Sequence, residues 1–405
     1  MIKKIICIIL SVLLCLALTA CGLHSDEDNP TLDIHEDAAF DGKLDDTTRA
    51  MNDEDSFIFT WMTYSEIRVT DELKNKTAYE KYIGGLFENM KKIGVTDCFV
   101  QVRPFADAMY PSEYFPLSIY ADKAVNFDPF SVIISLGESY EIAVHAWINP
   151  YRISSKPLTE NSEYFSWQEE NAGDIISTSS GVYFNPASMK AQSLILSGVG
   201  ELLEKYNIKG IHIDDYFYPA DFGDKDKKQY ESYCKKGGQK DLSSWRRENV
   251  NSLVSAIYLK VKSFGEDKIF SISPCGNTDK NYNELYADVY AWCKGGYCDM
   301  VLPQIYFGFE NESLPFEKCL EDWLSLTDSE KVKLIPALAL YKSGKEDIFA
   351  GEGKYEWQKN NDIISRQVKL IKENKCKGFA LYSSSYINFS ETFTADELKN
   401  LQNML

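Results

Sequence analysis

From residue 56 onward, short apolar runs alternate with longer segments whose apolar positions recur every three or four residues. The short runs are apolar at nearly every position, as parallel strands buried on both faces are; the longer segments have the period of an amphipathic helix. This pattern predicts eight strand–helix units. The predicted strands are Phe57–Tyr64, Thr96–Arg103, Ile142–Ile148, Lys209–Asp214, Lys268–Ser273, Met300–Tyr306, Lys333–Leu340 and Gly378–Tyr382. The helices predicted to follow them are Thr77–Ile93, Pro129–Tyr140, Ala187–Tyr206, Leu242–Phe264, Tyr282–Lys294, Pro315–Leu326, Asp362–Glu373 and Ala395–Asn403.

Eight such units fit an α/β fold of the closed (β/α)8 TIM-barrel kind with its helices outside, and about 350 residues is an ordinary size for it. A doubly wound open sheet is the alternative, but no Gly-x-Gly-x-x-Gly follows any predicted strand. The longest loops follow strands two, three, four and seven. All of these lie at the carboxyl end of the barrel, where the fold builds its sites.

The first 55 residues have a different character. Lys3 and Lys4 precede an apolar run from Ile5 to Leu18, and Leu18-Thr19-Ala20-Cys21-Gly22 follows. The run is short for a membrane-spanning helix and has the order of a secretory signal with small residues at its end. The pentapeptide resembles a bacterial lipobox. That implies a signal peptide over residues 1–20, cleavage before Cys21, lipidation of the Cys21 thiol, and an extracytoplasmic protein held on the membrane. Residues 21–55 are acidic and lack apolar periodicity, the composition of a flexible tether. The barrel domain is then expected over residues 56–405.

The net charge of −18 argues against a nucleic-acid partner, whose phosphates it would repel. It favours a neutral or cationic substrate. Seven of the ten cysteines lie beyond the lipobox, an odd number that does not suit a complete disulfide framework. Cys293 and Cys298 are near enough to pair across a loop; buried thiols are the other reading. No Cys-x-x-Cys occurs and the four His are scattered, so neither a metal site nor a cofactor is expected.

Candidate chemistry gathers at predicted strand ends. The fourth strand ends Gly210-Ile211-His212-Ile213-Asp214-Asp215-Tyr216-Phe217-Tyr218, with two adjacent carboxylates closing an apolar run. Carboxylates are costly to bury unless partnered, so their position calls for an explanation. His212 and Asp214 share one side of the strand, and Asp215 faces the other. A helix cap or a loop-fixing ion pair would also account for an Asp pair. Strand two ends Gln101-Val102-Arg103-Pro104-Phe105-Ala106-Asp107, strand three ends His145-Ala146-Trp147-Ile148-Asn149-Pro150-Tyr151-Arg152, and strand six ends Pro303-Gln304-Ile305-Tyr306. Trp147, Tyr151, Tyr216, Tyr218 and Tyr306 have rings suited to sugar faces. Asn149, Gln304, Arg103 and Arg152 could bind hydroxyls or an acidic substituent, with His145 and His212 beside them. Each of these residues, taken alone, is as readily a core or hydrogen-bonding residue.

His145 to Arg152, the Ile213-Asp214-Asp215-Tyr216 strand end, Trp245-Arg246-Arg247-Glu248-Asn249-Val250-Asn251 and Pro303-Gln304-Ile305-Tyr306 together resemble the bacterial glycosyl-hydrolase-like family 10 lipoproteins. The resemblance spans about residues 55–390. It implies a (β/α)8 barrel, an extracytoplasmic location and hydrolysis of a glycosidic bond, with bacterial cell-wall glycan (peptidoglycan) as the favoured polysaccharide. The chain departs from the family pattern at Ser273-Pro274-Cys275-Gly276-Asn277-Thr278 and at Phe307, so its subsite contacts are expected to differ there.

Glycosidases ordinarily place two carboxyl groups about the scissile bond. Asp214 is the expected nucleophile or base. Its partner is open among Asp215, Glu66, Asp107 and Glu310, with Glu66 and Asp107 favoured because they sit close behind strand ends. Glu248, inside the fourth helix beside Arg246 and Arg247, reads as structural. Two other classes stay open. One is a non-catalytic carbohydrate-binding lipoprotein, which would not need the carboxylates. The other is a metal-dependent deacetylase, which would want a His-x-x-x-His pair that is absent here.

Overall fold

The computed structural model describes residues 56–405 apart from residues 122–124, 171–172, 220, 328–329 and 391. The expected signal peptide, Cys21 and the whole of the acidic tether (residues 21–55) lie outside the described residues.

Eight parallel strands form the barrel: β1 (Phe57–Met62), β2 (Asp97–Arg103), β3 (Ala143–Ile148), β4 (Gly210–Ile213), β5 (Ile269–Ile272), β6 (Met300–Val301), β7 (Lys333–Leu334, resuming at Ala337–Leu338) and β8 (Gly378–Leu381). The ring closes through β7. Ile335 N–H donates to the Val301 carbonyl on one side, and Ala380 N–H donates to the Pro336 carbonyl on the other, both at 3.0 Å. On the far side β8 pairs with β1, Phe57 opposite Gly378. An open doubly wound sheet is thereby excluded.

Alternation along each strand divides the apolar residues into two sets. Phe59, Trp61, Phe99, Trp147, Ile269, Met300, Leu302, Ile335, Ala337 and Ala380 fill the barrel interior. A much larger set, including Met62, Val100, Ile148, Ile213 and Ile272, packs outward with the helices. These are α1 (Lys76–Lys92), α2 (Pro129–Tyr140), α3 (Met189–Lys205), α4 (Leu242–Lys262), α5 (Val289–Gly295), α6 (Phe316–Leu326), α7 (Ile363–Glu373) and α8 (Thr392–Gln402). Side-chain caps fix several starts. Asn75 accepts from Thr77 N, Asp128 from Phe130 N with Pro129 in the first turn, Ser188 from Ala191 N, and Asp241 from Ser244 N. Each satisfies donors that a helix start leaves without an intrahelical partner.

Three predicted elements are shorter or divided for local reasons. The sixth strand keeps regular pairing only at Met300–Val301, since Pro303 has no N–H to give the ladder. The seventh is interrupted at Pro336 for the same reason. The predicted helix Tyr282–Lys294 is two helices, Thr278–Asn283 and α5, separated at Tyr286, whose φ of 52° no helix accommodates. The pattern did not foresee a three-stranded antiparallel sheet (Arg152–Ser154, Ile175–Thr178, Gly181–Phe184) in the loop after β3. Cys293 and Cys298 are both free thiols.

Candidate active site

The site is built on the barrel's interior stack. His212 of β4 lies flat against Phe99 of β2, ring centroids 3.9 Å apart, and Phe99 stacks on Phe59 at 5.1 Å. The His212 imidazole is fully buried, and burial together with nearby His145 holds its pKa well below the usual value. It is therefore neutral, and its hydrogen bonds fix the tautomer. Trp61 Nε1–H can only donate, and it does so to His212 Nε2 at 3.0 Å. The ring proton is then on Nδ1, donating to Ser271 Oγ at 2.8 Å. Trp61 is thus held upright at the end of β1, with its ring 5.8 Å from Tyr382 at the end of β8.

One layer higher, the ends of β3 and β4 meet. Asp214 Oδ2 accepts from Trp147 Nε1 at 3.1 Å and from Asn149 Nδ2 at 2.5 Å; Oδ1 accepts from the Tyr216 backbone N–H at 3.3 Å. Three donors favour the charged carboxylate, yet Asp214 is 4% exposed and beside Asp215. Burial and the neighbouring charge win, and its pKa is pushed up to about 8. Asp215 is half-buried and is also raised by burial, while the Gln304 side chain and Lys280 favour its charged form. Two carboxyls that perturb each other in this way titrate as a pair and hold one proton between them near neutral pH.

Aromatic rings surround the pair. Tyr306 lies 5.7 Å from Tyr382 and 5.8 Å from Tyr341, and both Asp214 and Asp215 act on it electrostatically. On the other flank, the Arg152 guanidinium sits over the rings of Phe105 (4.6 Å) and Tyr216 (4.8 Å), and Tyr216 is 39% exposed. The mouth therefore combines proton-sharing carboxyls with ring faces and a cation, a combination suited to acid–base work on a polyhydroxylated substrate.

The sequence family described as glycosyl hydrolase-like 10 matches residues 61–350. The chain belongs to this family. It is 31% identical over 323 residues to the glycosyl hydrolase YngK of Bacillus subtilis, a match that takes in 74% of this chain and 63% of that protein. It thus spans less than two-thirds of that relative's length. To the glycosyl hydrolase DigH of Shigella flexneri it is 24% identical, with 82% of each chain covered. Among solved structures it is similar to the glycoside hydrolase domain of PgaB (BpsB) from Bordetella bronchiseptica, with a TM-score of 0.59, 12% identity, and 86% and 98% of the two chains covered. The catalytic domain of a β-amylase from Paenibacillus polymyxa gives 0.55 at 10% identity, over 87% and 98% of the chains. At such identities the likeness is one of fold.

In this member of the glycosyl hydrolase-like 10 family, the expected site residues divide into two groups. Asp214, Asp215, Trp147, Asn149, Arg152, Tyr216, Gln304 and Tyr306 converge on the mouth. Seven others do not. His145 is fully buried in the stack, bonded to Asp97 Oδ1 at 2.9 Å, and His212 props Trp61 from below. Arg103 is fully buried outside the barrel wall, its guanidinium 3.6 Å from the Phe115 ring and against Gly198 of α3, because β2 is irregular between Gln101 and Arg103. Tyr151 and Tyr218 are each 1% exposed, and Tyr218 packs on Phe222 and Tyr286.

The two favoured acid partners are among the seven. Asp107 is in the loop beside Arg103, with burial raising its pKa. Glu66 is a clip between β1 and the segment after β8. Its Oε2 accepts from Thr63 N and Thr63 Oγ1 (both 2.6 Å), and its Oε1 from Ser384 Oγ (2.7 Å), Ser385 N (2.6 Å) and Ser383 Oγ (3.3 Å). Glu310 is exposed. Glu248 pairs with Lys240 at 2.8 Å, as its structural reading requires. Trp61, Gln101 and Tyr382 belong to the site and were missed. Each stands at or just past a strand end, which was the available signal.

Proposed function

We propose that this protein is a glycoside hydrolase acting on an extracellular polysaccharide, with bacterial cell-wall glycan strands as the substrate. The observation that carries the reading is the Asp214–Asp215 pair at the end of β4, buried enough to retain one proton and framed by Trp147, Tyr306 and Tyr216. The relatives named glycosyl hydrolase support the reaction class.

Two donors already occupy Asp214 Oδ2, so its proton belongs on Oδ1. Asp214 is then the general acid that protonates the leaving oxygen. Asp215, favoured in its charged form by Gln304 and Lys280, faces the positive charge that develops on the sugar ring or the water that attacks it. This reverses the role that strand position alone suggested for Asp214. Location on the cell surface through lipidated Cys21 is part of the same proposal, since the substrate lies outside the cytoplasm.

The test is digestion of purified cell-wall glycan strands, with and without stem peptides, by the full chain in mild detergent, with products read by mass spectrometry. New reducing ends that vanish in Asp214→Asn are expected. Retention of glycan without cleavage would transfer the reading to a carbohydrate-binding lipoprotein, which the ring-lined mouth also suits.

A further inference from the structure

We propose that Gln101 is a positioning residue that, together with the Trp147 indole, fixes which oxygen of Asp214 carries the proton. The inference rests on Asp214 being the proton-holding group of the site. Gln101 is 4% exposed and lies in β2 opposite Trp147 of β3. Three hydrogen bonds run through it in series. The Tyr64 backbone N–H donates to Gln101 Oε1 at 3.1 Å, Gln101 Nε2 donates to Asn149 Oδ1 at 2.7 Å, and Asn149 Nδ2 donates to Asp214 Oδ2 at 2.5 Å.

The direction of this chain is forced from its first member. A side-chain amide has one accepting end and one donating end, and their placement is ordinarily ambiguous. A backbone N–H can only donate, so the oxygen of Gln101 must face Tyr64. Its NH2 must then face Asn149, which requires the oxygen of Asn149 there. Asn149 is left with its own NH2 toward Asp214. Turning either amide would set two donors or two acceptors against each other in a buried place. Tyr64 is itself fixed, because it opens the short helix Tyr64–Ile67 that Thr63 and Glu66 cap. Asp214 Oδ2, which also accepts from Trp147 Nε1 at 3.1 Å, thus receives a second donor aimed by a signal that begins at the β1–β8 clip, and its proton is left to Oδ1.

A residue that merely fills space would do none of this, and Met fills nearly the same space as Gln. The experiment is a titration of the Asp214 carboxyl by ¹³C NMR in the full chain, with the signal assigned by its loss in Asp214→Asn. It compares Gln101→Met, Asn149→Ala and the double variant. Without Gln101 the Asn149 amide is free to turn, so Gln101→Met is expected to raise the Asp214 pKa by about one unit. Asn149→Ala should raise it at least as much, and the double variant no further than Asn149→Ala alone. An unchanged pKa in Gln101→Met, or shifts that add in the double variant, would overturn the proposal. If Gln101→Met does not fold, Gln101→Glu keeps the acceptor for Tyr64 and turns the other end into a second acceptor. Its upward shift should shrink when Asn149 is replaced by Ala, and an equal shift in both backgrounds would overturn the proposal. No step of this titration uses a substrate. A wild type that is idle on glycan but shows the expected pKa pattern would sink the enzymatic reading and leave the relay standing.

Discussion

At the scale of residues, Asp214 couples function to stability with opposite signs. Its folded pKa, about 8, lies above the unfolded reference of 3.8, so the folded state binds its proton more tightly. The stability it contributes is fully present below the unfolded value and is lost as pH rises through the folded one. Asp214→Asn keeps the shape and abolishes the titration. It should therefore cut turnover by about 10²-fold or more while raising the thermal midpoint by a few degrees at pH 8. The gain should shrink toward nothing near pH 4. Turnover and thermal unfolding of the two proteins across that range check both halves. An Asn variant with the same pH–stability curve as wild type would mean that Asp214 is ionised in the folded protein. At this scale the sequence was only partly legible. Strand-end position picked out Asp214, Asn149 and Gln304, but it could not distinguish residues facing the mouth from those facing the stack or the helices. His145 and His212 obey strand alternation and sit too deep. Arg103 escapes alternation through an irregularity in β2 that no residue type announces.

At the scale of elements, the barrel's seam between β8 and β1 is held by more than its ladder. Five hydrogen bonds converge on Glu66, three of them from the Ser383–Ser385 segment that follows β8. A carboxylate can accept all five; a carboxamide has one accepting atom and brings donors of its own. Glu66→Gln should therefore destabilise the fold by about 2–4 kcal/mol, the range for leaving buried donors without partners at a charged acceptor. Chemical denaturation measures this. A variant that is as stable as wild type but inactive would instead return Glu66 to the catalytic candidates. Most elements were readable in advance because nearly continuous apolar runs and 3.6-residue periods are the direct imprint of two-sided burial and one-sided burial. What was not readable had other causes. Pro303 and Pro336 cut ladders that the apolar pattern runs straight across. The antiparallel sheet at 152–184 consists of strands three or four residues long, too short to show a period.

At the scale of the whole molecule, the barrel and its proposed tether would make separate physical demands. The fold is shared with glycoside hydrolase domains at 12% and 10% identity. Packing of the interior and of the helical shell can therefore be satisfied by many sequences. On the proposal of a lipid-anchored protein, the N-terminal segment would answer to a different solvent. With residues 1–20 removed, the chain would carry a net charge of about −20 and should stand off an anionic membrane surface. Electrostatics would then oppose attachment, and only covalent lipid on Cys21 could hold the protein there; a diacylated cysteine supplies the two chains that stable anchoring needs. Cys21→Ala should accordingly move the protein from the membrane fraction to the soluble one without altering its thermal midpoint, since Cys21 lies far in sequence from the barrel's first strand at Phe57. Fractionation followed by immunoblotting reads the distribution. Persistence in the membrane fraction after high-salt washing would mean that the apolar run from Ile5 to Leu18 is retained as the anchor. Reach toward the cell wall would then be set by an embedded segment, with the acidic stretch as its spacer.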